Sequence, residues 1–133
     1  AIPHYRQYVA AMPAVANARH SLGLALAATQ QEAAAAIEFE QAVALGPADA
    51  QFRMSLGTAL AATGRLAPAI VQYREALRLS PADARIMSAL ALALADSGAR
   101  DESLALFRRA LILAPNDLSI QSDFTTALGL IQR

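Results

Sequence analysis

Apolar residues along this chain come in bursts of about fourteen at helical spacing, each closed by a short turn-forming break. Between 50 and 83 the first burst carries Met54, Leu56, Leu60 and Ala61. It stops at Gly64, a residue that takes the left-handed, helix-ending conformation at little cost. A second burst starts near Leu66, with Pro68 tolerable in its first turn, and runs through Ile70, Tyr73, Ala76, Leu77 and Leu79. Ser80-Pro81 forbids further helix, because the residue before proline is pushed out of the α region. Asp83 then serves as N-cap for the next helix, its carboxylate accepting the orphan amides. The pattern predicts helix, turn, helix, turn, with helices over about 50–63 and 66–79.

The same punctuation recurs every 34 residues, at Pro13, Pro47, Pro81 and Pro115. Leu22-Gly23, Leu56-Gly57 and Leu90-Ala91 share that ruler, as do Ala35, Ala69 and Ser103. So do Phe39, Tyr73 and Phe107, then Ala42, Ala76 and Ala110, then Asp49, Asp83 and Asp117. A fixed period of this length means stacked copies of one helical unit, each too small to bury a core alone. The ruler predicts further helices over about 16–29, 32–45, 84–97 and 100–113. Gln30 stands where Gly64 and Gly98 stand, so the first turn is expected to be less sharply defined.

The units then run 16–49, 50–83 and 84–117, flanked by a half-unit at 1–15 and a terminal helix at 118–133. Ala1-Ile2-x-x-Tyr5-Arg6 aligns with Ala69-Ile70-x-x-Tyr73-Arg74. The chain is therefore expected to open inside a second helix, with Pro3 in its first turn and a new helix starting at Ala16. Ile120, Phe124, Leu128 and Ile131 share one face of the terminal helix. Three whole units flanked by two half-units read as a piece of a longer array, and Ala instead of Met at residue 1 reads as something upstream removed or not included. The alternative is a complete protein whose last helix is a solubilising cap, polar through Gln121, Ser122, Asp123, Thr125 and Thr126.

Composition agrees with an all-helical chain. Hydrophobic residues make up 56% of the 133, many of them alanine, with only 5% aromatic and no Trp. Eleven basic residues, all arginine, balance eleven acidic ones, so no net field draws in nucleic acid or an anionic membrane. There is no Lys, and an Ala- and Arg-rich, Lys-free chain points to GC-rich coding and a bacterial source. Without cysteine there is no disulfide framework, and cytoplasm and periplasm suit the chain equally. No apolar run reaches membrane-spanning length, so direct membrane insertion is not expected.

These slots resemble the tetratricopeptide repeat, with its W-x2-L-G-x2-Y, A-x3-F, A and P pattern. The segment 50–83 carries Leu56-Gly57, Leu60 in the aromatic slot, Ala69, Tyr73, Ala76 and Pro81. Two slots depart: the Trp position holds Arg19, Arg53 and Met87, and the Tyr position Leu26, Leu60 and Leu94. The resemblance covers essentially the whole chain and implies an all-α, right-handed α-α superhelix of antiparallel helix pairs. A pentatricopeptide array, one residue longer in period, reads RNA, but neutral charge and a strict period of 34 argue against it.

The resemblance further implies a concave groove lined by the first helices, holding a peptide or a partner helix. Carried over by register, the groove takes Asn17, His20, Leu24 and Ala27, then Gln51, Met54, Thr58 and Ala62. Arg85, Ser88, Leu92 and Asp96 follow, with Ser119, Ser122 and Thr126 from the terminal helix. Such a groove suits an uncharged or amphipathic segment, with one acidic group for Arg85; the same residues also read as solvated helix faces. A subset of the family clamps chaperone carboxylates with basic residues and Asn. The matching positions here are His20, Leu24, Ser55, Arg85 and Ala89, of which only Arg85 has a suitable charge, so that role is not expected.

Catalysis finds little support. His4 and His20 lack HExxH spacing, no thiol exists, and no cofactor or metal is implied. Glu38 and Glu40 diverge on a helix, and without Lys no Walker-type phosphate loop can form. Two main readings remain: an interaction scaffold for a protein or peptide ligand, or a self-assembling module joined through its ends. Leu118, Phe124 and Ile131 at one end, and Tyr5 and Tyr8 at the other, are the sticky surfaces of the second. A third is a region that positions substrate for a catalytic domain outside the sequence.

Overall fold

A computed structural model describes the backbone of residues 2–132 and the side chains of residues 14–132. Among these residues lie seven helices and no strand: α1 (Ile2–Ala28), α2 (Glu32–Leu45), α3 (Ala50–Ala62), α4 (Leu66–Leu79), α5 (Ala84–Ser97), α6 (Arg100–Leu113) and α7 (Leu118–Ile131). Helices α2 to α6 begin and end within a residue of the positions read from the sequence.

Local chemistry explains this agreement. The Asp49 carboxylate accepts the amides of Gln51 and Phe52, and Asp83 those of Arg85 and Ile86. Asp117 does the same for Ile120, so each aspartate starts a helix, a cap worth about 1 kcal/mol. Within each pair the chain turns through a left-handed residue: Gln30 (φ 62°), Gly64 (φ 81°) and Gly98 (φ 93°). In all three turns the next amide reaches back five residues at 2.9 Å, from Gln31 to Leu26, Arg65 to Leu60 and Ala99 to Leu94. The first turn is thus as well defined as the others, and the strain of a side chain in the left-handed region is borne at Gln30. Because Gln30 is exposed, Gln30→Gly is expected to raise stability by about 1 kcal/mol, visible as a melting temperature roughly 4 °C higher.

One expectation fails. No helix ends at Pro13; α1 runs unbroken from Ile2 to Ala28, so no new helix starts at Ala16. Proline at 13 removes one backbone hydrogen bond, yet the chain there lacks what restarts a helix elsewhere. Where Asp49, Asp83 and Asp117 cap, the ruler puts Val15, which has no oxygen to offer the amides. Pro3 falls in the first turn of α1, as expected, whereas the expectations for Tyr5 and Tyr8 concern side chains outside the described residues.

Each helix packs on its sequence neighbours, and α7 also lies against α5, so α1, α3, α5 and α7 form one side of the stack. Small residues set the approach within each pair: Ala35, Ala69 and Ser103 are wholly buried, as are Ala42, Ala76 and Ala110. Ser103 is satisfied there, its hydroxyl donating to the Ala91 carbonyl at 2.6 Å. The departures in the Trp slot are also explained. Arg19 reaches Glu38 at 3.0 Å and Arg53 reaches Gln72 at 3.1 Å, bracing the first helix on the second. In the next pair these two positions hold Met87 and Leu106, both buried, so apolar packing replaces the polar brace. At the start of α6, Glu102 pairs across to Arg74 of α4 at 3.1 Å, on the surface.

Candidate functional site

Side by side, α1, α3, α5 and α7 leave two connected hollows along their shared face. The larger, about 450 Å³, is walled by Met54, Leu66, Leu92 and Leu130 and floored by Tyr73, Ser88 and Ile120. The smaller, about 270 Å³, lies between α1, α2, α3 and α5, against Leu24, Phe39, Gln51 and Ser55. Met54, Thr58 and Arg85 line both.

Of the residues read from the sequence, Met54, Thr58, Arg85, Ser88 and Leu92 line the larger hollow, and Leu24 and Gln51 the smaller. Asn17 is exposed and lines neither. His20 is turned into the joint between α1 and α3, its Nε2 2.8 Å from the Ser55 hydroxyl. Its ring lies against Phe39 and Phe52, with centroids 5.4 and 4.9 Å away. Asp96, Ser119 and Thr126 border the larger hollow, and Ala27 the smaller.

Polar groups on the floor are tied down. Thr58 donates to the Met54 carbonyl at 3.0 Å, and its oxygen sits 2.9 Å from the Tyr73 hydroxyl. Burial pushes the Tyr73 phenol pKa up, the Thr58 bond draws it back, and the negative charge of Asp123 raises it further. Ser88, buried on α5, donates to Asp123 Oδ2 of α7 at 2.8 Å. Asp123, absent from the groove positions read from the sequence and named there only under the alternative of a solubilising cap, lines the hollow. The ruler carried the signal, since Asp123 falls on the register of Ser55 and Ala89. Among the described residues, no three His, Asp or Glu side chains are grouped so as to hold a metal ion.

Burial lowers the His20 pKa from its ordinary 6.5, and Asp49 offsets part of that. The unfolded chain then takes up a proton that the folded one resists, so stability is whole above about pH 6.5 and drains as pH falls. Wild type is expected to melt at a lower temperature at pH 5.5 than at pH 7.5, with a smaller difference in His20→Gln.

The sequence and the fold each have relatives. A family model described as TPR repeat matches residues 57–98, and one described as tetratricopeptide repeat matches 84–114. No relative is found among curated proteins. Among solved structures, the Arabidopsis OM64 TPR domain superposes with a TM-score of 0.81 at 17% identity, covering 89% of this chain and 98% of that one. The Yersinia enterocolitica type III secretion chaperone SycD, in complex with a peptide of the translocator YopD, gives 0.74 at 20% identity, covering 87% and 88%. The first TPR domain of Spaghetti (RPAP3), bound to an HSP90 peptide, gives 0.80 at 14% identity, covering 90% and 94%. Residues 57–114 thus match models of the tetratricopeptide repeat, and the chain has the fold of the tetratricopeptide-repeat domains it superposes on.

Proposed function

We propose that this chain is an interaction scaffold that holds a peptide segment or a helix of another protein along α3, α5 and α7. The observation that carries this reading is the larger hollow. It is open and mostly apolar, and the polar groups on its floor, Thr58, Tyr73, Ser88 and Asp123, are held by hydrogen bonds, as suits a pre-formed recognition surface. Two of the similar structures were solved with a peptide bound, which supports the same reading. Affinity capture tests it, comparing wild type with a Leu24→Glu, Met54→Glu, Leu92→Glu variant whose folding is checked by circular dichroism. A protein retained by wild type and lost by the folded variant is the expected result; identical capture by both rejects the groove.

A second reading, self-association, has one specific observation behind it. Ile112, Leu113 and Leu118 stand exposed around the α6–α7 turn. Phe124 and Ile131 contribute less, since Phe124 packs on Phe107 with centroids 5.2 Å apart and Ile131 is half-buried against the core. Concentration-dependent oligomers in sedimentation, abolished by Leu118→Asp and indifferent to the groove variant, would favour this reading.

A further inference from the structure

We infer that the larger hollow receives a basic side chain, lysine or arginine, from the partner segment, with its methylene stem on Met54 and Leu92 and its head at Asp123. The inference rests on the groove reading above and names the chemistry of its ligand. Three observations carry it.

The first is charge. Two carboxylates, Asp96 and Asp123, border the hollow against one guanidinium, Arg85, and among the described residues neither carboxylate is ion-paired. The second is placement. Arg85 lines both hollows and so lies at their boundary, whereas Asp96 and Asp123 line only the larger. Ser88, and Asp123 with it, lies about 12 Å along the α5 axis from Asp96, so the carboxylates are spread along the larger hollow while its one guanidinium stands at the boundary with the smaller. The third is pre-organisation. Ser88, almost fully buried, holds Asp123 by one oxygen and leaves the other free for an incoming donor. An alkyl stem with a cationic head matches apolar walls beside a fixed carboxylate, since such side chains bury their methylenes while keeping the charge solvated. An acidic anchor would face two like charges and one attractive one, a juxtaposition that selects against it. This polarity is opposite to that of a carboxylate clamp.

A displayed library of random peptides, selected on the intact chain at low salt, tests the assignment. Selected sequences are expected to carry Lys or Arg beside an apolar residue, with the opposite end neutral or acidic. The best capped peptide is expected to lose affinity about tenfold on Asp123→Asn, and similarly when its own lysine becomes norleucine. Asparagine retains an acceptor for Ser88, so the pocket floor stays satisfied. Combining both changes is expected to cost little more than either alone, which ties the lysine to Asp123. Enrichment of acidic or uncharged anchors that the groove variant still abolishes overturns the cationic assignment and keeps the groove. Enrichment indifferent to the groove variant, no enrichment at all, or a hollow occupied by a second copy of the chain overturns both.

Discussion

Phe107→Ala is expected to destabilise the chain by about 3–5 kcal/mol, the range for truncating a buried aromatic ring. Phe107 is wholly buried, falls on the register of Phe39 and Tyr73, which face Gly23 and Gly57, and packs against Phe124 of α7. Its loss opens a cavity where three helices meet, in a core whose buried residues on α5 and α6 include the small Ala91 and Ala110. Contacts in a solenoid are between neighbours, so the damage should concentrate at that end of the stack. Hydrogen exchange is then expected to show α7 losing protection before α3 and α4. Uniform loss of protection, or none, would mean that Phe107 does not join α6 to α7.

Gly57→Leu is expected to cost about 3 kcal/mol, at the upper end of overpacking. A Cβ at Gly57 would lie 2.8 Å from two ring carbons of Tyr73, closer than real Cβ contacts come. The ring cannot retreat without cost, because Tyr73 is buried and its hydroxyl is held by Thr58 at 2.9 Å. The whole α3–α4 pair must therefore open to admit the side chain. Gly129→Ala on α7 is the control: a Cβ there meets nothing within 4 Å, and the helix gains about 1 kcal/mol of propensity. Denaturation midpoints moving in opposite directions for the two variants are the expected outcome. A Gly57→Leu midpoint equal to wild type would contradict the close approach.

Much of this fold was legible before any coordinates, for a physical reason. The caps at Asp49, Asp83 and Asp117, the prolines and the left-handed turns act over a few residues, so composition at each position carries the information. Two local signals do not act alone. Pro13 falls where a helix ends in the other units, but Val15 in the aspartate slot removes the restart; Gln30 stands in a glycine slot, yet it forms the turn by accepting strain. Both positions needed neighbouring chemistry to be weighed together: a helix ends and restarts only when something receives its orphan groups.

The site divides along the same line. By itself the sequence determined the 34-residue unit, the helix pairs, the small and large slots between them, and which helix faces stand in register. Which in-register positions share a cavity was decided only by the tertiary structure. His20 and Met54 occupy equivalent positions, yet one closes a joint against Phe39 and Phe52 while the other walls the open hollow. Asp123 lines the hollow because α7 lies against α5 and brings it to Ser88, 35 residues away. Helix formation is set by neighbours along the chain, whereas a cavity and its charge are set by how separate helices lean on one another.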